Sequence, residues 1–112
     1  MQRQVLILET KANDITCYAD AFRAANHLEP EDVEEGVFRV FDVAGRELGI
    51  GVADGRVVIT NEIIDNHPDQ VAEILRVYLS TVRSARGGLR ADDLRRADLS
   101  ALIDQLCAGD QR

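Results

Sequence analysis

The order of apolar and polar residues predicts a strand followed by a helix near the N-terminus. Residues 5–8 form a short continuous apolar run, which is typical of a β-strand that is covered on both faces. Asn13 or Asp14 can then cap a helix that ends near Leu28 and Pro30. The apolar positions of this helix recur at helical spacing, and they are Ile15, Tyr18, Ala19, Phe22 and Ala25.

Between residues 37 and 64 the apolar period changes to two, and two turn signals divide the stretch into three strands. Two-residue loops at residues 45–46 and 54–55 predict an antiparallel meander. Its registers place four apolar pairs opposite each other: Phe41 with Ile50, Val43 with Leu48, Ile50 with Ile59, and Val52 with Val57. The face toward the helices then holds Val37, Phe41, Val43, Leu48, Ile50, Val52, Val57 and Ile59.

The opposite face of this meander is flat and partly apolar. It holds Phe38, Val40, Asp42, Gly49, Gly51, Ala53, Val58 and Thr60. Phe38 and Val40 either lie over the glycines and compensate for their missing side chains, or border a shallow groove for a partner or a second copy of the chain. We expect something other than the two long predicted helices, which begin at residues 13–14 and 67–68, to cover this face, and we favour a protein contact.

Two more helices are predicted in the C-terminal half. One begins at residues 67–68, with a proline at its first position, and ends at Gly87-Gly88. Its apolar stripe consists of Val71, Ile74, Leu75, Tyr78, Leu79, Val82 and Ala85. The other follows a short turn over residues 92–96 and is capped by Asp98 or Ser100. Its apolar side consists of Leu99, Leu102, Ile103 and Leu106.

The resulting order is β-α-β-β-β-α-α, which predicts an α+β fold. We expect a two-layer sandwich with an antiparallel three-stranded meander over residues 37–64 plus an N-terminal strand, which can join the meander at an edge or at its centre. A length of 112 residues predicts a single globular α+β domain over residues 1–112. Six large apolar residues should be buried in its core: Phe22, Phe41, Ile50, Ile59, Leu75 and Leu79.

Composition and charge narrow the function classes. With 46% hydrophobic and 29% charged residues, the chain is neither disordered nor fibrous. Its 20 acidic and 13 basic residues give a net charge of -7, which argues against nucleic acid as a partner. No apolar run approaches the length of about 18 to 20 residues that a membrane span needs, and residues 1–9 lack the features of a signal peptide. We therefore expect a cytoplasmic protein with no membrane partner.

The negative charge is concentrated in one short run. Residues 1–66 carry 13 acidic and 6 basic residues, whereas residues 67–112 are balanced. The densest part is residues 29–35, with five acids: Glu29, Glu31, Asp32, Glu34 and Glu35. The run is either a solvated loop or helical turn, or a docking patch for a basic partner, which it would attract through its clustered field.

The residues that could carry out chemistry have simpler structural interpretations. Cys17 and Cys107 do not make the disulfide framework of a small secreted domain, so we expect both to be reduced. His27 and His67 suit a helix end and a helix start, and their spacing matches no metal motif. No glycine motif for phosphate is present in the chain. We predict no catalytic, metal or cofactor site, and no enzymatic activity.

These observations favour a small acidic protein-binding module that acts by occupying a partner protein, as an immunity protein, an antitoxin or a chaperone does. The partner should have a basic surface. The alternative is a homo-oligomeric structural or adaptor protein without catalytic activity, for example a homodimer. The residues predicted to bind the partner are Glu29, Glu31, Asp32, Glu34, Glu35, Phe38, Val40 and Val58.

Overall fold

A central strand with buried apolar side chains on both faces organises the protein. The structure is a computed structural model that describes residues 4–82 and 95–110. The strands are β1 (Val5–Glu9), β2 (Asp14–Tyr18), β3 (Phe38–Asp42), β4 (Arg46–Ala53) and β5 (Arg56–Asn66). The helices are α1 (Ala21–His27), α2 (Pro30–Glu34), α3 (Pro68–Val82) and α4 (Leu99–Asp110). The chain is therefore a small α+β domain.

The strands form one open antiparallel sheet in the order β2-β1-β3-β4-β5. The N-terminal strand β1 lies between two neighbours, so that Leu6 is opposite Cys17 of β2 on one side and Phe41 of β3 on the other. The element order among the described residues is β-β-α-α-β-β-β-α-α, which differs from the predicted order by one strand and one helix in the N-terminal part.

The helix predicted from Asn13 or Asp14 is wrong in its first half, because residues 14–18 form β2. Asn13 has a φ of 53°, a left-handed conformation that ends the loop after β1 and turns the chain back beside it. Helix α1 begins only after Asp20, whose carboxylate accepts a hydrogen bond from the N–H of Arg23 at 2.8 Å. The side chain of Phe22, predicted to be buried, is consequently on the surface, with 75% of the residue exposed.

The meander is present, and one of its two predicted registers is confirmed. Asp54 and Gly55 both have positive φ, as a two-residue hairpin loop requires, and Ile50 lies opposite Ile59 as predicted. In the other hairpin Phe41 lies opposite Glu47 rather than Ile50. This pairing is shifted by three residues, and an odd shift exchanges the two faces of a strand.

The side chain of Asp42 explains the shifted register. Its Oδ1 accepts hydrogen bonds from the N–H groups of Ala44 at 2.9 Å and Arg46 at 3.0 Å, and its Oδ2 accepts one from Arg46 Nε at 2.7 Å. These bonds fold residues 43–45 into a three-residue loop that needs Gly45 at a φ of 81°. Phe41 and Leu48, predicted to share a face, therefore lie on opposite faces.

Buried side chains form one cluster on each face of the sheet. The first cluster joins β1, β2 and β3 to helices α3 and α4. It includes Leu6, Leu8, Ile15, Cys17, Phe41, Val71, Leu75, Leu79, Leu102, Ile103, Leu106 and Cys107. The second cluster lies under α1, and it consists of Val5, Ile7, Tyr18, Ala24, Val40 and Leu48. Helical residues thus contribute to the buried clusters on both faces of the sheet.

The other core predictions have mixed outcomes. Phe41, Leu75 and Leu79 are buried as predicted, whereas Ile50 and Ile59 are half-buried against the second cluster. Helix α3 begins at the predicted proline, and its predicted end at residues 87–88 lies outside the described residues. The cap of α4 is confirmed, because the carboxylate of Asp98 accepts a hydrogen bond from the N–H of Ala101 at 2.9 Å.

A disulfide joins the edge strand β2 to the C-terminal helix α4. Cys17 and Cys107 are 90 positions apart in the chain, and their Cα atoms are 5.5 Å apart. Both residues are buried in the first cluster. The expectation that both thiols are reduced is therefore wrong. That expectation came from the number of cysteines alone, which does not show that β2 brings Cys17 to the face that α4 covers.

Removing the disulfide should destabilise the fold. The bond joins residues 90 positions apart and so lowers the conformational entropy of the unfolded chain, which increases when the bond is absent. We expect the variant C17A/C107A to lose about 2 to 5 kcal/mol of unfolding free energy in urea titrations. A reductant should destabilise the wild-type chain and leave the variant unchanged. Equal unfolding free energies for the two chains without reductant would contradict the disulfide.

Candidate docking surface

The acidic run lies on and beside α2, with its carboxylates directed mainly to solvent. Glu29, Glu31, Glu34 and Glu35 are exposed, and Asp32 is half-buried. Val33 is the buried residue of this helix, and α2 contacts strands β4 and β5. The helix is therefore attached to the domain by its apolar side, while its acidic side faces outward.

Backbone hydrogen bonds fix the end of this helix. The N–H of Glu35 donates to the carbonyl of Glu31 at 3.1 Å, and the N–H of Val37 donates to the carbonyl of Asp32 at 3.2 Å. Both the N–H and the hydroxyl of Thr10, in the loop after β1, donate to the carbonyl of Val37 at 2.9 Å. The acidic run is thus tied to the sheet at the point where β3 begins.

Few cations neutralise these carboxylates. Lys11 Nζ lies 3.4 Å from Glu35 Oε2, in a pair that is well exposed on both sides. Among residues 4–82 and 95–110, no basic side chain forms an ion pair with Glu29, Glu31, Asp32 or Glu34. The helix therefore presents several negative charges that the described part of the chain leaves uncompensated.

The three apolar residues predicted to bind a partner do not form one patch. Val40 is fully buried in the second cluster, and Phe38 is half-buried against it. Val58 is 41% exposed and lies opposite Gly51, whereas its neighbour Ile59 packs against the second cluster. Because successive side chains of a strand alternate, Val58 points to the face opposite Val40.

The expectation that something other than the two predicted long helices covers the face of Val40 is also wrong. Helix α1, the second half of the first predicted helix, packs on this face with Ala24 in the cluster and with Ala21 and Leu28 against it. The side chain of Val40 is consequently enclosed by its own chain and inaccessible to a partner. The reason is the register of the β3–β4 hairpin, which determines the face that Val40 occupies.

The space over the glycines of β4 differs from both predicted alternatives. A Cβ atom at Gly49 would lie 2.6 Å from Thr60 Oγ1, so the neighbouring strand already fills this space. A Cβ atom at Gly51 would meet nothing within 4 Å among the described residues. Phe38 and Val40 play no part in covering these glycines, since they lie on the opposite face.

A polar cluster that the sequence pattern did not indicate lies at the start of β4, around Glu47. The guanidinium of Arg39 donates two hydrogen bonds to the carboxylate of Glu47, at 3.1 and 2.9 Å. His67 Nε2 lies 3.4 Å from Glu47 Oε1 and 3.1 Å from Asp65 Oδ2. The cluster joins β3, β4 and β5 to the segment before α3. The N–H of His67 also donates to the carbonyl of Gly45 at 2.9 Å.

The electrostatics of this cluster indicate a structural role. The hydrogen bonds from Arg39 lower the pKa of Glu47, and the same bonds raise the pKa of Arg39. A carboxylate that is held ionised by a bidentate arginine is a weak proton acceptor. The guanidinium also lies 5.1 Å from the ring centre of Phe41, at the border of the first cluster.

A cavity of about 390 Å³ lies between the β1–β2 loop and α3. It is lined by Ala12, Asn13, Ile15, Glu73, Ile74, Val77 and Tyr78. The hydroxyl of Tyr78 donates a hydrogen bond to Asp14 Oδ1 at 3.0 Å, which ties α3 to the start of β2. This lining is mainly apolar.

Comparisons with protein-family models, curated proteins and solved structures find no match to this chain. None of the helices in the described ranges combines the length and the apolar character that crossing a bilayer requires. Within the same ranges, no three His, Cys, Asp or Glu side chains are grouped so that they could hold a metal ion. The acidic run on and beside α2 is accessible, and so is Val58 among the three apolar residues predicted to bind a partner.

The pair of Arg39 and Glu47 should make stability depend on pH. The pKa of Glu47 is lower in the folded than in the unfolded chain. The stabilisation that ionised Glu47 adds to the unfolding free energy is therefore fully present above the unfolded pKa of about 4.3, and it is lost as the pH falls through the folded pKa. We expect E47Q to lower the unfolding free energy at neutral pH and to reduce its further loss in acid. Urea titrations over this pH range measure both effects. The control E34Q, at an exposed position without a described cation, should leave the profile unchanged, and a wild-type profile for E47Q would contradict the pair.

Proposed function

We propose that the chain is a protein-binding module that docks on the basic surface of a partner protein through the acidic side of α2. The contact residues are Glu29, Glu31, Asp32, Glu34 and Glu35. By binding there the domain would occupy its partner, in the manner of an immunity protein, an antitoxin or a chaperone. The observation that carries the proposal is the set of exposed carboxylates left without cations on one short, anchored helix.

Electrostatics explain how such a helix would act. Exposed like charges contribute little to folding, but together they attract an oppositely charged surface and accelerate encounter. Val33 and the hydrogen bonds at the end of α2 hold the helix against the sheet before any partner arrives. A surface that is already ordered loses less conformational entropy on binding than a mobile loop does.

An exposed aromatic residue supports a protein as the ligand. Phe22 lies on α1, the helix that precedes α2 in the chain, and it is 75% exposed. Aromatic residues are enriched among the anchors of protein interfaces. In the proposed interface Phe22 replaces Val40, which was predicted to bind the partner and is buried.

The disulfide bears on the expected cellular location. Both cysteines were expected to be reduced, and the structure joins them in a disulfide. Disulfides persist mainly in oxidising compartments, so this bond does not favour the proposed cytoplasmic location.

The alternative proposal, association between copies of the chain, is favoured by a different observation. β5 lies at the edge of the sheet, and its residues Ile63 and Ile64 are exposed.

Neutralising the acidic side of α2 should slow partner binding. We expect the variant E31Q/D32N/E34Q/E35Q to associate about tenfold more slowly with a partner captured from the source cells, with a nearly unchanged dissociation rate and unfolding free energy. Stopped-flow or surface-binding kinetics at low and high salt measure the rates, and salt should slow the wild-type chain toward the variant.

A control with the same change in net charge separates a local patch from general attraction. The variant D54N/D69N/E73Q/D104N neutralises four acids elsewhere on the chain. It should associate within about twofold of the wild-type rate. Equal rates for the wild-type chain and the α2 variant would contradict the proposal, as would an equal loss in both variants.

A further inference from the structure

The cavity between the β1–β2 loop and α3 has apolar side chains at its surface. Its volume of about 390 Å³ lies within the range of roughly 300 to 1,000 Å³ that is typical of small-molecule sites. The four lining residues on α3, at positions 73, 74, 77 and 78, recur at helical spacing and form one stripe. Val77 is 55% exposed, and Ile74 is half-buried against the first cluster. A ligand in the cavity would therefore bury apolar surface that is exposed in the free chain.

The opposite wall of the cavity is built by the β1–β2 loop and the start of β2. Ala12, Asn13 and Ile15 line this wall. Ile15 is buried in the first cluster, and the left-handed backbone of Asn13 turns the chain back beside β1. The N–H and the hydroxyl of Thr10 both donate to the carbonyl of Val37 and so hold the loop against the sheet. Both walls are thus fixed by the fold, and the cavity exists before a ligand binds.

The carboxylate of Asp14 lies beside the cavity. The hydroxyl of Tyr78, a lining residue, donates a hydrogen bond to Asp14 Oδ1 at 3.0 Å, and the residues on both sides of Asp14 also line the cavity. Asp14 is exposed, and within residues 4–82 and 95–110 no basic side chain forms an ion pair with it. Its second oxygen, Oδ2, accepts no hydrogen bond from the same residues. This oxygen is therefore open to a donor on a ligand.

The basic side chains described on the two walls already have acidic partners. Lys11, in the loop, lies 3.4 Å from the carboxylate of Glu35. Arg76, on α3, lies 3.4 Å from the carboxylate of Glu73 and offsets part of its charge. The charge of Asp14 is not offset in this way. The local field therefore favours a cationic ligand over an anionic one.

We propose that the cavity binds a small primary amine with an apolar body. The apolar body packs between Ile15, Ile74 and Val77, and the ammonium group donates a hydrogen bond to the carboxylate of Asp14. This site shares no residue with the acidic run, so it is a ligand function in addition to the docking of a partner protein.

Benzylamine, benzyl alcohol and benzoate test the site, because they combine one aromatic ring with a positive, a neutral and a negative head group. In titrations followed by methyl NMR, benzylamine should shift the signals of Ile15, Ile74 and Val77, and its ring should show intermolecular NOEs to the same methyl groups. Benzyl alcohol should bind about three- to fivefold more weakly than benzylamine, because an exposed ion pair adds only modestly to affinity. Benzoate should bind more weakly still, since its charge is repelled.

The variant D14N removes the charge and keeps an oxygen that accepts the hydrogen bond from Tyr78. Benzylamine should then bind only as tightly as benzyl alcohol, whose own affinity should not change. The control D54N removes an exposed charge at the turn between β4 and β5, and it should leave all three affinities at their wild-type values. Circular dichroism should show wild-type folding for both variants, since both positions are on the surface.

Each part of the proposal has an outcome that overturns it. Unshifted signals of the three lining residues at the highest soluble concentration of benzylamine overturn the cavity as a ligand site. Equal affinities of the wild-type chain for benzylamine and benzyl alcohol overturn the choice of an amine, and so does tighter binding of benzoate. A D14N chain that retains the preference for benzylamine overturns the role of Asp14, as does an equal loss of that preference in D54N.

Discussion

Strand β1 is hydrogen-bonded along both edges and buried on both faces, and the rest of the domain depends on this position. Its pairing with β2 and β3 satisfies its backbone, so a strand of four apolar residues and one glutamate can lie inside the protein. Leu6 and Leu8 point to the long helices, while Val5 and Ile7 point to α1. One strand thus contributes to both apolar clusters, and the two faces of the sheet are stabilised together.

The same strand order determines where the acidic surface lies. Because β2 and β3 flank β1, the chain must cross from one side of β1 to the other after leaving β2. Helices α1 and α2 form this crossing. α1 packs over the second cluster, and α2 continues toward β4 and β5 with Val33 inward. The carboxylates of α2 face solvent because the crossing has its apolar side on the sheet.

The disulfide fixes the position of a helix on the other face of the sheet, which carries the first cluster. Helix α4 is the last element of the chain, and Leu102, Ile103 and Leu106 pack it into the first cluster. The bond between Cys17 and Cys107 connects this helix to β2 and thereby shields one edge of the sheet. β5, at the other edge, is contacted by α1 and α2.

Features that depend on local sequence could be predicted, and features that depend on register could not. The run over residues 5–8, the Asp54-Gly55 turn and the proline start of α3 each carry their signal within a few residues. β2 was missed because Ile15, Tyr18 and Phe22 also fit helical spacing, and the left-handed Asn13 is one residue in an otherwise ordinary stretch.

The candidate site divides in the same way. The acidic run of α2 is local, so its exposure could be predicted from charge alone. The burial of Val40 and the cluster around Glu47 follow from the β3–β4 register, which depends on hydrogen bonds from Asp42 that the apolar pattern does not encode. The disulfide was missed for a related reason, since its partners meet only when residues 14–18 form a strand beside β1.

Amide hydrogen exchange of β1, followed residue by residue by NMR, tests the central position of this strand most directly. Alternate amides of an interior strand bond to each neighbour, so all of them are protected. The amides of residues 5–8 should exchange among the slowest in the protein, at a rate set by global unfolding. Exchange of these amides as fast as those of the exposed half of β5 would place β1 at an edge and contradict the account.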